Sequence, residues 1–128
     1  MVGLVIVSHS ENLANSVVEF TSVMAKGIPI AAAGGLEDGS FGTSFERIQN
    51  AIESVYSDDG VIVLMDLGSA VMTTEMVLEM MEGKKAAMAD CPLVEGAVAA
   101  SIHVAGGMGF DEILKSLDEV WKMRKLSG

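Results

Sequence analysis

The sequence predicts an α/β fold, an open doubly wound parallel sheet of about four strands in the order 2-1-3-4, with helices on both faces. Three observations carry that expectation. Short β-rich runs alternate with stretches of helical periodicity along all 128 residues, as repeated β-α units require. Two of those runs, Leu4-Val5-Ile6-Val7 and Val61-Ile62-Val63-Leu64-Met65, are continuously apolar, the pattern of a strand covered on both faces. No Pro/Ser-rich linker and no internal repeat interrupts the alternation, so residues 1–128 read as a single domain.

Taken in order, Leu4–Val7 is the first strand. Ser10 then has the character of an N-cap, and Leu13, Val17, Phe20 and Met24 recur at helical spacing to about Met24. Ile28–Ala33 is a weaker strand whose Pro29 suits an edge position. A glycine-rich loop from Gly34 and Gly35 to Gly42 follows. Thr43 and Glu46 have capping-box spacing, ahead of a helical stripe of Phe45, Ile48, Ile52 and Val55. Val61–Met65 stops at Asp66-Leu67-Gly68-Ser69, and Met72, Met76 and Met80 line one side of the next helix. Such methionines are expected to be core filler. Ala86–Ala89 is a short fourth strand, and two helices follow, near Leu93–Ala105 and Asp111–Lys125. Gly106-Gly107-Met108-Gly109 follows a helix, so it reads as a stop and turn.

Composition narrows the function classes. Half the residues are hydrophobic and the mean hydropathy is +0.44, which excludes a disordered acidic tail. The length suffices for a sizeable core. Eight basic against eighteen acidic residues give a formal charge of −10, which repels nucleic acid and anionic lipid and favours a basic partner. No run approaches the about 18–20 apolar residues needed to span a bilayer, and the N-terminus lacks the basic stretch of a secretory signal. Cys91 stands alone, so no internal disulfide forms, and a reducing cytoplasm is expected. Two histidines and one cysteine make no zinc site. Neither G-x-G-x-x-G, G-x-x-x-x-G-K-[ST] nor G-x-S-x-G is present, and the loops hold few aromatics to stack a flavin. No cofactor or resident metal is therefore expected.

The chemistry is expected at one end of the sheet. Right-handed crossovers in the order 2-1-3-4, as in flavodoxin-like folds, make strands 1 and 3 neighbours, and ligands bind outside their carboxyl ends. His9 lies just past strand 1 and Asp66 just past strand 3, so residues 57 positions apart face one crevice. A neutral imidazole is a good phosphoryl acceptor when one ring nitrogen holds its proton and the other is free. A carboxylate accepting that N–H fixes the tautomer and stabilises the cation formed on attack. The start of the helix after His9 offers unpaired N–H groups and a positive dipole end to a phosphate. Ser8, Ser10, Thr43 and Ser69 lie at the same end and could donate to phosphate oxygens. His103, late in an Ala-rich helix, has no strand end to aim it. A cap or satisfied polar residue is the bland alternative for His9; an anion-binding module and a regulatory docking domain are the alternatives for the chain.

Four stretches occur in a familiar order: Val5-Ile6-Val7-Ser8-His9-Ser10, Gly34-Gly35-Leu36-Glu37-Asp38-Gly39 with Gly42-Thr43-Ser44-Phe45, Met65-Asp66-Leu67-Gly68-Ser69-Ala70, and Pro92-Leu93-Val94-Glu95-Gly96-Ala97. Together, and over essentially the whole chain, they closely resemble the DhaM family. These are the IIA-like phosphotransfer subunits of bacterial phosphoenolpyruvate-dependent dihydroxyacetone kinases, related to mannose-type enzyme IIA of the phosphotransferase system. The resemblance implies a flavodoxin-like fold and a phosphoryl relay. HPr, charged by enzyme I, donates to the histidine matched by His9, whose carboxylate partner matches Asp66. The loop framing the phosphohistidine matches Gly34 to Thr43, and Gly68 and Ser69 fall in the Asp66 motif. Phosphate then passes to ADP held on DhaL, and the ATP formed phosphorylates dihydroxyacetone on DhaK. Nucleotide is thus held by a partner, the chain itself is cytoplasmic, and a homodimer is expected; the apolar face of the last helix (Ile113, Leu117, Val120, Trp121) is expected to pack on the sheet, with a share in the dimer interface as the alternative. Ending at Gly128, the chain is expected to be a one-domain member that depends on separate HPr. The lack of a segment leading to a IIB domain favours the kinase subunit over the alternative, an enzyme IIA for sugar uptake.

Overall fold

Strand β1 (Gly3–Ser8) is buried along its whole length, and the rest of the sheet is arranged around it. In the computed structural model, which describes residues 1–127, β1 lies between β2 (Ile30–Gly34) and β3 (Val61–Met65), and β3 pairs outward with β4 (Ala86–Ala89). All pairings are parallel and the order is β2-β1-β3-β4, as the sequence predicts. Alternation within the strands divides the core. Leu4, Ile6, Ile62 and Leu64 point to one face, under α1 (Glu11–Met24), α4 (Leu93–Ala105) and α5 (Phe110–Asp118). Val5, Val7, Val61 and Val63 point to the other, under α2 (Phe45–Val55) and α3 (Gly68–Met80). Each face gains from transferring these side chains out of water. No helix among the described residues is long and apolar enough to cross a membrane.

Register places the site. Val7 pairs with Met65 and Ser8 with Gly34, so the chain leaves β1, β2 and β3 at one level. Gly34 fits there because it has no side chain. A Cβ on it would stand 2.5 Å from the Ser10 carbonyl oxygen and 2.8 Å from both Glu11 Cα and Ala14 Cβ.

Several elements depart from the sequence expectation. Strand β2 begins at Ile30 and takes in Gly34, because Pro29 has no N–H for the ladder and contributes only its carbonyl, to Leu4 N–H at 2.9 Å. The cap of α2 is Ser44 rather than Thr43, its Oγ accepting from Arg47 N–H at 3.2 Å, while Thr43 Oγ1 pairs with Thr73 Oγ1 at 3.0 Å. With arginine three residues after the cap, no reciprocal capping box forms. The methionines of α3 are not core filler: Met72, Met76 and Met80 are 68%, 56% and 73% exposed. The inward face is Ala70, Thr74 and Val77, whose small side chains let the helix approach the sheet. Likewise Ala14, Val17 and Thr21 are the buried positions of α1, leaving Leu13, Phe20 and Met24 outside. The final helix stops at Asp118 and a 3-10 turn spans Val120–Lys122. There Val120 is buried, whereas the exposed Trp121 donates its indole N–H to the Asp90 carbonyl at 2.9 Å.

Leu64 is fully buried at the centre of the larger cluster. Leu64→Ala is expected to lower the unfolding free energy by about 2–5 kcal/mol, the lost transfer term plus an unfilled cavity. The midpoint and slope of urea denaturation measure this; an unchanged midpoint would show that the site collapses around the gap.

Candidate functional site

Asp66 is the hub of the crevice. Its backbone N–H donates to the Val7 carbonyl at 3.1 Å, which fixes it against the end of β1. Four donors converge on its carboxylate. Oδ2 accepts from Ser8 Oγ at 2.8 Å and from His9 N–H at 3.0 Å. Oδ1 lies 3.0 Å from His9 Nδ1 and accepts from Leu67 N–H at 2.6 Å. Burial opposes ionisation of this carboxyl, but the His9 N–H, Ser8, the His9 ring and Leu67 together outweigh it and hold Asp66 below its ordinary value. An ionised Asp66 accepts at both oxygens, so it assigns the ring proton of His9 to Nδ1.

Nε2 is then the free nitrogen. It lies 2.5 Å from Ser69 Oγ, and the His9 side chain is 30% exposed. Ser69 stands in the first turn of α3, whose N-terminus has neither a side-chain cap nor an acidic residue. The open, positive helix end that meets Nε2 is therefore that of α3. The α1 end anticipated from the sequence is already served: Ser10 Oγ accepts from Leu13 N–H at 3.1 Å, and Glu11 occupies its first turn.

The remaining candidates shape this arrangement. Ser8 is fully buried and its Oγ also accepts from Ser10 N–H at 3.0 Å, so its own proton is directed at Asp66. Gly35 adopts φ +68°, a conformation that favours glycine, and donates its N–H to the Ser8 carbonyl at 3.1 Å. Gly42 N–H donates to the His9 carbonyl at 2.9 Å, which brings the glycine-rich loop against His9. Thr43 bridges α2 to α3 through Thr73. Gly68 opens α3, and a Cβ there would meet nothing within 4 Å. His9, Asp66 and Ser69 thus come into direct contact, Ser8 and Ser10 lie behind them, and Gly34, Gly35 and Thr43 frame the loop.

Sequence reasoning missed Arg47. Its Nη1 reaches Glu11 Oε2 at 2.8 Å and the Gly34 carbonyl at 3.0 Å, tying α2, α1 and the loop together. No spacing signals a contact between residues 36 apart in sequence. The hydroxyl of Ser44 donates to Glu37, and chiefly for that reason the Glu37 carboxyl is held below its usual value.

Other reactive groups lie outside. His103 Nε2 pairs with Ser116 Oγ at 2.9 Å. Burial, with Asp90 and Asp118 nearby, pushes the Cys91 thiol up to about 11, so it remains protonated and unreactive at neutral pH. A cavity of about 650 Å³ lies between α4 and the C-terminal segment, and neither His9 nor Asp66 lines it. The partly exposed His9 ring is open to a reactant delivered by another macromolecule.

Comparisons with known proteins show the family. Residues 3–114 match the family model of the PTS system fructose IIA component. The chain is 41% identical over 118 residues to the phosphotransferase subunit DhaM of a PTS-dependent dihydroxyacetone kinase from Lactococcus lactis, covering 92% of this chain and 94% of that one. It is 40% identical over 121 residues to the Escherichia coli phosphoryl donor subunit DhaM, covering 89% of this chain but only 26% of that longer protein. A phosphotransferase system component EIIA from Streptococcus agalactiae superposes with a TM-score of 0.71 at 15% identity, over 94% of this chain and 92% of that one; at that identity the likeness speaks for the fold. The chain belongs to the mannose-type enzyme IIA family of the phosphotransferase system, among relatives that are the DhaM phosphoryl donor subunits of dihydroxyacetone kinases.

Proposed function

We propose that this chain is the phosphoryl carrier of a phosphoenolpyruvate-dependent dihydroxyacetone kinase, taking phosphate from phospho-HPr on Nε2 of His9 and delivering it to ADP bound on DhaL. The observation that carries the reading is the His9 Nδ1 to Asp66 Oδ1 contact of 3.0 Å, which leaves Nε2 free at an open surface. In the first transfer Nε2 attacks the phosphorus, an N–P bond forms on His9, and the N–P bond to the donor breaks. The product imidazolium keeps its proton on Nδ1, balanced by Asp66, so no proton has to leave. Ser69 Oγ, displaced from Nε2, donates to a phosphoryl oxygen beside the open end of α3. In the second transfer a β-phosphate oxygen of ADP attacks, the Nε2–P bond breaks and neutral His9 returns. The ATP formed serves dihydroxyacetone on DhaK.

No cofactor takes part in this reading; nucleotide stays on the partner, and the setting is the cytoplasm. A homodimer is part of it, supported by an apolar band of Leu13, Phe20 and Val23 on α1 beside Val94 of α4. Incubation with phosphoenolpyruvate, enzyme I and HPr is expected to yield an acid-labile, alkali-stable phosphate on the chain, discharged on adding DhaL with ADP. The family description as a sugar-system IIA component favours one second reading, enzyme IIA of a mannose-type sugar system. Label that passes to a IIB domain and never to DhaL would establish that alternative; absence of label would refute both.

A further inference from the structure

We propose that Arg47 is a positioning residue for phosphoryl transfer at His9, strapping the glycine-rich loop and the start of α1 together across the open edge of the sheet. This rests on the carrier role proposed above. Strand β2 lies at the edge, with β1 as its one neighbour. It reaches β1 through the Pro29 carbonyl, which accepts from Leu4, and through the Gly35 N–H, which donates to Ser8. Alternate residues of a parallel strand bond to one side, so the Gly34 carbonyl faces outward, where no strand supplies a donor. Arg47 supplies it, Nη1 donating to that carbonyl at 3.0 Å and to Glu11 Oε2 at 2.8 Å. Because α1 and α2 cover opposite faces of the sheet, one guanidinium nitrogen closes the edge from face to face.

The strap bears on His9 by two short routes. Glu11 stands two residues after His9 and opens α1. Gly34 packs so tightly on Ser10 and Glu11 that a Cβ on it has no room. It also begins the loop whose Gly42 N–H donates to the His9 carbonyl at 2.9 Å. The first turn of α2 grips that loop again further on, because its cap, Ser44, donates to Glu37. Among the described residues the Arg47 side chain donates only to Glu11 and Gly34, so it acts on the imidazole through the backbone that carries it. The two side chains are 32% and 42% exposed, and an ion pair this open adds little to global stability. Its effect is expected in the rate of transfer, where a small displacement of the attacking atom is costly.

The test separates rate from binding and from folding. Arg47→Met keeps the length of the side chain and removes its donors. Arg47→Lys keeps a charged nitrogen with enough donors for both acceptors. Arg47→Met is expected to slow single-turnover labelling of His9 about tenfold, alike with phospho-HPr and with the small donor phosphoramidate, while KM for phospho-HPr is unchanged. Arg47→Lys is expected to restore most of the rate. In Arg47→Met the Gly42 N–H should exchange faster with solvent, while the Val63 N–H in the middle of β3 keeps its protection. Glu11→Gln/Arg47→Met is expected to stay slow, since the Gly34 carbonyl is still unheld. A wild-type rate in Arg47→Met, a loss confined to KM, no rescue by lysine or recovery in the double variant overturns the assignment. An Arg47→Met protein that does not fold also overturns it, because the strap is assigned little global stability. Wild type labelled by phosphoramidate but never by phospho-HPr would overturn the carrier reading instead, and the small-donor rates would still judge Arg47.

Discussion

His9→Ala is expected to reduce phosphate uptake from phospho-HPr to background, a larger effect than any other single substitution in this chain. Only Nε2 of His9 combines an unprotonated ring nitrogen, a carboxylate on the opposite ring nitrogen and an open approach. Neither alternative nucleophile can substitute: His103 is paired with Ser116 on the α4 side, and Cys91 is buried as a thiol. The fold should survive, because His9 contributes no side chain to either core cluster. Losing its ring leaves Asp66 with three of its four donors, a change of about 1 kcal/mol. Radiolabel from phosphoenolpyruvate, read beside a thermal melt, makes the check; label on a well-folded His9→Ala protein would move the reaction elsewhere.

The second large effect is expected from Asp66→Asn, which should slow phosphorylation by on the order of 10²- to 10⁴-fold. The magnitude follows from donor geometry. Each carboxylate oxygen accepts one backbone N–H, Oδ2 from His9 and Oδ1 from Leu67, and neither can turn away. An amide NH2 must therefore confront one of them, whichever way it is flipped. If it faces Nδ1, the ring proton moves to Nε2 and the nucleophile is lost; if it faces Ser8, the carboxylate that balances the imidazolium is still missing. Single-turnover labelling measures the chemical step, and direct titration with HPr should show binding little altered. Equal single-turnover rates would remove Asp66 from the reaction.

The same carboxylate contributes to stability in a pH window whose sign can be worked out. Its folded value lies below the ordinary one, so its contribution is present above the unfolded carboxylate value, about 3.9, and is lost as pH falls through the folded value. Wild type should therefore exceed Asp66→Asn in stability at neutral pH, with the difference shrinking below about pH 4. A difference that grows on acidification would contradict the depressed carboxyl.

How far the sequence could be read depended on whether a signal was a pattern or a choice between patterns. The continuous apolar runs of β1 and β3 had a single reading, and with right-handed crossovers they dictated the neighbouring strand ends that hold His9 and Asp66. Helix faces were harder. On α3 both the methionine row and Ala70-Thr74-Val77 have helical spacing, and hydrophobicity favoured the wrong one, because close approach to a sheet rewards small side chains. Ser69 was visible as a nearby hydroxyl, but its contact with Nε2 depended on where α3 starts. Ser8 was placed among the phosphate donors because sequence cannot show that its hydroxyl is buried and directed at Asp66. Arg47 escaped notice because its partners, Glu11 and the Gly34 carbonyl, are assembled only by the tertiary fold.

The backbone bonds on either side of His9 have a kinetic consequence. Asp66 N–H is held by Val7, Gly35 N–H by Ser8, and Gly42 N–H by His9 itself, so the segments carrying the site are stitched to the central strands before any partner arrives. Little ordering entropy remains to be lost on encounter. A protein that must release one partner before meeting the next gains from such rigidity: association needs no folding step, and few contacts suffice for a brief, correctly oriented collision. The sheet thereby supplies the alignment that a longer-lived complex would otherwise have to provide.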